Sequence, residues 1–115
     1  MTDVIIWHNP RCSKSRAALK LLEERGIAPV IRLYLADPPN GAEIRAACDA
    51  LGRPAVEMMR TKQAAFREAG LSPDMDDERL IAAMAAQPVL IERPIVFANA
   101  RAALGRPPDA VLGIL

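Results

Sequence analysis

The sequence predicts one α/β domain that runs β-α-β, then a helical insert at about residues 41–87, then β-β-α. Three observations predict it. Short apolar, β-branched runs sit near the two ends of the chain, at Val4–Trp7, Val30–Leu35 and Ile95–Ala98. The stretch between them carries apolar stripes at helical spacing. Gly, Pro, Asn and Asp punctuate each change of pattern. A length of 115 residues suits one domain, and a hydrophobic content of 51% is enough for a core.

Val4-Ile5-Ile6-Trp7 reads as a buried strand that stops at the loop His8-Asn9-Pro10. A helix follows from about Ser13 to Arg25, with Ala18, Leu21, Leu22 and Arg25 on one side and Gly26 as its stop. Val30–Leu35 is the second strand, so the opening forms a βαβ unit, right-handed by the general rule. Asp37-Pro38-Pro39-Asn40 breaks the chain. Ala42–Leu51 then carries Ile44, Ala47, Cys48 and Leu51 on one stripe and ends at Gly52. Short pieces follow at Val56–Arg60 and Gln63–Ala69. Asp76, Asp77 and Glu78 place carboxylates at the start of a helix that carries Leu80, Ala83 and Met84 and ends before Pro88. Ile95–Ala98 is a strand, Asn99-Ala100 a hairpin turn and Ala102–Leu104 the return strand. Gly105-Arg106-Pro107-Pro108 breaks it, and Asp109–Leu115 reads as a last helix.

The charge balance argues against a general polyanion binder: the net charge is +1 and charged residues make up 25%. Among the basic residues, 12 are Arg and 3 are Lys. Arginine is the better fork for oxyanions, although GC-rich coding also favours it. No apolar run approaches the ~20 residues a membrane span needs. Met1–Trp7 is short and carries Asp3, unlike a secretory leader. The two cysteines, Cys12 and Cys48, are too few for a disulfide scaffold or a Cys-rich metal site. The expectation is a cytoplasmic monomer with reduced thiols, no bound cofactor or metal, and no nucleic-acid or membrane partner.

The chemistry concentrates at the first turn. Cys12 stands just after a strand and just before a helix, where free N–H groups and the helix dipole favour thiolate over thiol. Ser13 and Ser15 are placed to offer hydroxyls to the sulfur. Arg11, Lys14 and Arg16 add positive charge, and a protonated His8 would lower the thiol pKa further. The same environment binds anions, which points to attack on an oxyanion or a disulfide. Cys48 lies on an apolar stripe and reads as core. The motif Cys12-Ser13-Lys14-Ser15 has one thiol, so turnover needs an outside thiol such as glutathione, or a disulfide to Cys48.

His8-Asn9-Pro10-Arg11-Cys12-Ser13-Lys14-Ser15-Arg16 resembles the HNPxCxxSR signature of glutaredoxin-dependent arsenate reductases. The likeness continues through Tyr34-Leu35, Pro38-Pro39, Met58-Met59-Arg60, Glu92-Arg93-Pro94-Ile95-Val96 and Gly105-Arg106-Pro107, nearest the chromosomal branch. Thr61–Leu71 departs from the plasmid-type enzymes. The resemblance implies a thioredoxin/glutaredoxin-like mixed sheet with an enlarged central crossover. It implies that Cys12 attacks arsenate to form a thiol–arsenate adduct, with His8 keeping the sulfur ionised and Ser15 hydrogen-bonding it. Arg60, Arg93 and Arg106 would hold the oxyanion, with glutathione as co-substrate and glutaredoxin as the partner that resolves the mixed disulfide. It also implies a cis-proline beside the cysteine, at Pro94. Two other functions share the fold: a glutathione-linked disulfide reductase, and a non-enzymatic redox regulator. The regulators usually carry a second cysteine where Ser15 stands.

Overall fold

A computed structural model describes residues 3–115. Met1 and Thr2, part of the Met1–Trp7 stretch compared with a secretory leader, lie outside the described residues. The chain divides into two compact units. The first comprises the residues up to Asp37 together with Arg93–Leu115; the second is Pro38–Glu92.

The first unit is built on a four-stranded mixed sheet in the order β2-β1-β3-β4. Its strands are β1 (Ile5–Trp7), β2 (Val30–Arg32), β3 (Ile95–Ala98) and β4 (Arg101–Leu104). β1 and β2 run parallel, with Ile6 opposite Ile31. β1 and β3 are antiparallel, with Ile6 opposite Val96, and so are β3 and β4, with Val96 opposite Ala103. Helix α1 (Ser13–Glu24) connects the two parallel strands and buries Ser15, Ala18 and Leu22. Gly26 follows at φ +76°, a conformation that glycine adopts without steric penalty.

Ile6, Ala18, Leu22, Val96, Ala98, Val111 and Ile114 form the core of this unit. Sheet alternation puts Ile6 and Val96 on the same face, and helical spacing puts Ala18 and Leu22 against it. Each large member contributes roughly 1.5–3 kcal/mol through burial.

Two sequence expectations differ here. β2 ends at Arg32, not Leu35, because the chain turns at once: the Ala36 and Asp37 amides both donate to the Leu33 carbonyl, at 3.0 and 2.8 Å. The final helix is a 3₁₀ segment, Pro108–Ile114, not an α-helix. Its last two carbonyls accept from the hairpin: the Asn99 side-chain amide donates to Ile114 O at 2.8 Å, and the Arg101 guanidinium donates to Gly113 O. Asn99 and Ala100, at φ 55° and 60°, make the tight turn between β3 and β4.

The second unit is helical, as its periodicity predicts. It comprises α2 (Gly41–Leu51), α3 (Ala64–Glu68), α4 (Asp77–Ala86) and two 3₁₀ turns, Ala55–Met58 and Pro88–Leu90. Asn40 starts α2 with a reciprocal cap: Glu43 N donates to Asn40 Oδ1, and Asn40 N donates to Glu43 Oε1. Asp76 caps α4 by accepting from Arg79 N at 2.9 Å. Ile44, Ala47 and Cys48 of α2 and Leu80, Ile81 and Met84 of α4 are buried, as are Met58, Phe66, Leu90 and Ile91. Met59 and Ile91 face each other in an antiparallel bridge. Among the described residues no helix is long and apolar enough to cross a membrane, and no group of His, Cys, Asp and Glu is placed to hold a metal ion.

Candidate active site

The loop between β1 and α1 is folded around Asn9. Its side-chain oxygen accepts from Arg11 N at 3.0 Å and its carbonyl accepts from Cys12 N at 3.0 Å. These two bonds deliver Cys12 in extended backbone to the cap position of α1, where its carbonyl accepts from Arg16 N. Cys12 makes no close side-chain cap bond of the serine or aspartate kind. Its sulfur is half-buried.

The thiol pKa is lowered from its ordinary value. Burial opposes ionisation, yet four attractions outweigh it: the backbone N–H groups of Ser15 and Lys14, then the charge and the hydrogen bond of the Arg93 guanidinium. Arg93 immediately precedes Pro94 at the start of β3, so the sheet carries this cation to the mouth of α1. The Arg93–Pro94 and Arg106–Pro107 bonds are both cis.

The structure brings His8, Ser15, Cys12 and Arg93 together, with a division of labour that differs from expectation. The Ser15 hydroxyl does not serve the sulfur. It shares a 2.6 Å hydrogen bond with His8 Nδ1 and accepts from Asn9 N at 3.0 Å. Ser15 reaches the thiolate through its backbone amide instead. His8 is not a supporting cation either: burial, then repulsion from Arg16, lowers its pKa, so the ring is neutral at neutral pH. Arg16 is turned onto the loop, its Nη1 donating to Pro10 O at 2.9 Å. The cation that acts on Cys12 is therefore Arg93, 81 residues away in sequence and not a loop neighbour.

Arg106 is exposed and directly follows Gly105 at the end of β4. Gly105 N donates to Pro94 O at 2.9 Å, and a Cβ on Gly105 would lie 2.4 Å from Pro94 Cγ. The bare glycine thus lets β4 close on the proline that follows Arg93. Arg60 belongs to the second unit, where its Nε lies 4.0 Å from Glu92 Oε1. Cys48 is buried, donates to Met58 Sδ at 3.1 Å, and has its pKa raised, chiefly by burial. Sequence reasoning missed Asn9, Gly105 and Glu92 as supporting groups. The Asn-Pro pair was a readable turn signal for Asn9; the others depend on contacts that no spacing reveals.

The chain matches the ArsC family model over residues 7–114. It is 48% identical over its whole length to an arsenate reductase of Neisseria meningitidis serogroup A, also covered in full. It is 45% identical to an arsenate reductase of Haemophilus influenzae, over 98% of this chain and 99% of that one. A solved arsenate reductase structure from Vibrio cholerae superposes with a TM-score of 0.95 at 46% identity, over 99% of this chain and 98% of the other.

Proposed function

Since the chain belongs to the ArsC family, we propose that it is an arsenate reductase whose nucleophile is Cys12. The observation that carries this reading is the Cys12 sulfur, held toward thiolate by two backbone N–H groups and faced by the Arg93 guanidinium. A thiolate beside a fork-shaped cation is suited to attack on the central atom of an oxyanion.

The Cys12 thiolate forms an Sγ–As bond while one arsenate oxygen takes up protons and leaves as water. The family resemblance assigns the remaining oxygens to Arg60, Arg93 and Arg106, each charge-assisted bond contributing roughly 1.5–3 kcal/mol. A glutathione thiol then attacks Cys12 Sγ, and the Sγ–As electron pair passes to arsenic, which leaves as arsenite. Two thiols have become one disulfide and arsenic has gained two electrons. A glutaredoxin thiol removes glutathione from the mixed disulfide and returns the Cys12 thiolate. Support for the outside thiols comes from the monothiol motif, which has Ser15 where a resolving cysteine would stand.

The test is arsenate-dependent NADPH oxidation in the presence of glutathione, glutaredoxin and glutathione reductase. Activity is expected from the intact protein and none from Cys12→Ser. Turnover of a glutathionylated peptide without turnover of arsenate would replace this reading with a disulfide reductase.

A further inference from the structure

Arg60 and Glu92 are brought side by side by a short piece of β-ladder in the second unit. Arg60 N donates to Leu90 O and Glu92 N donates to Met58 O, both at 2.8 Å, around the Met59–Ile91 bridge. With residue 59 opposite residue 91, Arg60 and Glu92 occupy diagonal positions on one face of the ladder. Long side chains reach each other across such a diagonal. Their side chains are only 20% and 16% exposed, so this is not a solvated surface pair with negligible coupling. Glu92 Oε1 faces the guanidinium on its Nε edge at 4.0 Å, an ion-pair distance too long for a hydrogen bond.

We propose that Glu92 is a positioning residue for Arg60, narrowing the orientations in which the guanidinium presents its terminal fork to an anion; this rests on the assignment of Arg60 to the arsenate site. A free arginine side chain samples many rotamers, and a bidentate grip works only in a few of them. A half-buried carboxylate facing the Nε edge narrows that freedom by ion-pair attraction before the anion arrives, which is preorganisation. A carboxylate near an anion site also has an opposing effect, because it lowers the local positive potential. The two effects predict opposite signs on removal of the charge. If Glu92 only neutralises, its loss tightens anion binding; if it positions, its loss weakens binding.

The experiment measures arsenate KM and kcat for the active protein, and calorimetric binding of inorganic phosphate and arsenate to Cys12→Ser protein, which cannot turn over. Thermal melting confirms that each variant folds. Glu92→Gln is expected to raise KM and Kd about three- to tenfold with kcat nearly unchanged, the pattern of lost uniform binding. That loss disappears when Glu92→Gln is added to Arg60→Ala. Unchanged or tighter binding in Glu92→Gln overturns the proposal, as does an equal loss in the Arg60→Ala background. If instead Arg60→Ala itself leaves KM and Kd unaltered, the placement of Arg60 in the arsenate site fails first, and this proposal falls with it. If Glu92→Gln does not fold, Glu92→Asp is read the same way, since it withdraws the carboxylate by one methylene. A raised KM that vanishes with Arg60→Ala supports the proposal, and a wild-type KM overturns it.

Discussion

At Cys12 the decisive contest is between burial, which favours the neutral thiol, and four local attractions, which favour the anion. Two of those attractions come from the backbone and survive any side-chain change at Lys14 or Ser15 that keeps the N–H, which excludes only proline. The other two come from one side chain, Arg93. This separates residues that look alike in sequence. Arg93→Met should raise the midpoint of the pH profile for Cys12 alkylation, because it removes both the charge and the donor. Lys14→Ala should leave that midpoint in place, because Lys14 acts through its amide. Iodoacetamide rates across pH, with thiolate absorbance as a second readout, test both. Equal shifts in the two variants would mean that loop charge in general, and not Arg93 in particular, sets the thiolate. The reactive cysteine was legible because strand, loop and helix start can be read from local sequence. Arg93 was legible only through family resemblance, since nothing in its own neighbourhood marks it among 12 arginines.

At the level of elements, most boundaries followed from caps and breakers. Asn40 with Glu43, Asp76, Gly26 and Gly52 all stop or start helices where such residues do so generally. β2 was read too long because apolar residues continue into a turn, where Tyr34 is buried although it is not in a strand. The sequence predicts a helix over the last segment without distinguishing α from 3₁₀ hydrogen bonding. The observed segment is 3₁₀, and its last two carbonyls are taken by Asn99 and Arg101 from the β3–β4 hairpin. Contacts between elements also explain Gly105. A Cβ there would press into the Pro94 ring, which cannot swing aside like the end of a flexible chain. Gly105→Ala is therefore expected to cost about 1–3 kcal/mol, as overpacking does. Gly113→Ala, where a Cβ meets nothing within 4 Å, should stay within about 0.5 kcal/mol. Urea midpoints at constant m-value measure the two, and equal stability would remove the close approach as the reason for glycine at 105.

For the molecule as a whole, the residue that couples the site to stability is His8, buried at the end of β1 and hydrogen-bonded to a buried serine. In the unfolded chain its pKa is near the ordinary 6.5; in the native protein burial and Arg16 push it lower. The unfolded state therefore binds more protons as pH falls through 6.5, and stability must fall with it. The full contribution of a neutral His8 is present above pH 6.5 and is lost progressively as the pH drops toward the native pKa. Cys12 acts in the same direction at higher pH, since its native pKa lies below the ordinary 9.0. Between the native value and 9.0 the unfolded thiol still holds its proton, so stability rises with pH across that window. Replacing His8 with Gln, which keeps a polar side chain that does not titrate, should flatten the acid-side slope above the carboxylate range. Cys12→Ser should flatten only the upper slope. Chemical denaturation at a series of pH values separates them. A Gln variant that keeps the full loss of stability just below pH 6.5 would show that burial and Arg16 do not lower the His8 pKa in the native protein, and a steeper loss in the variant would show that the folded state favours the His8 cation.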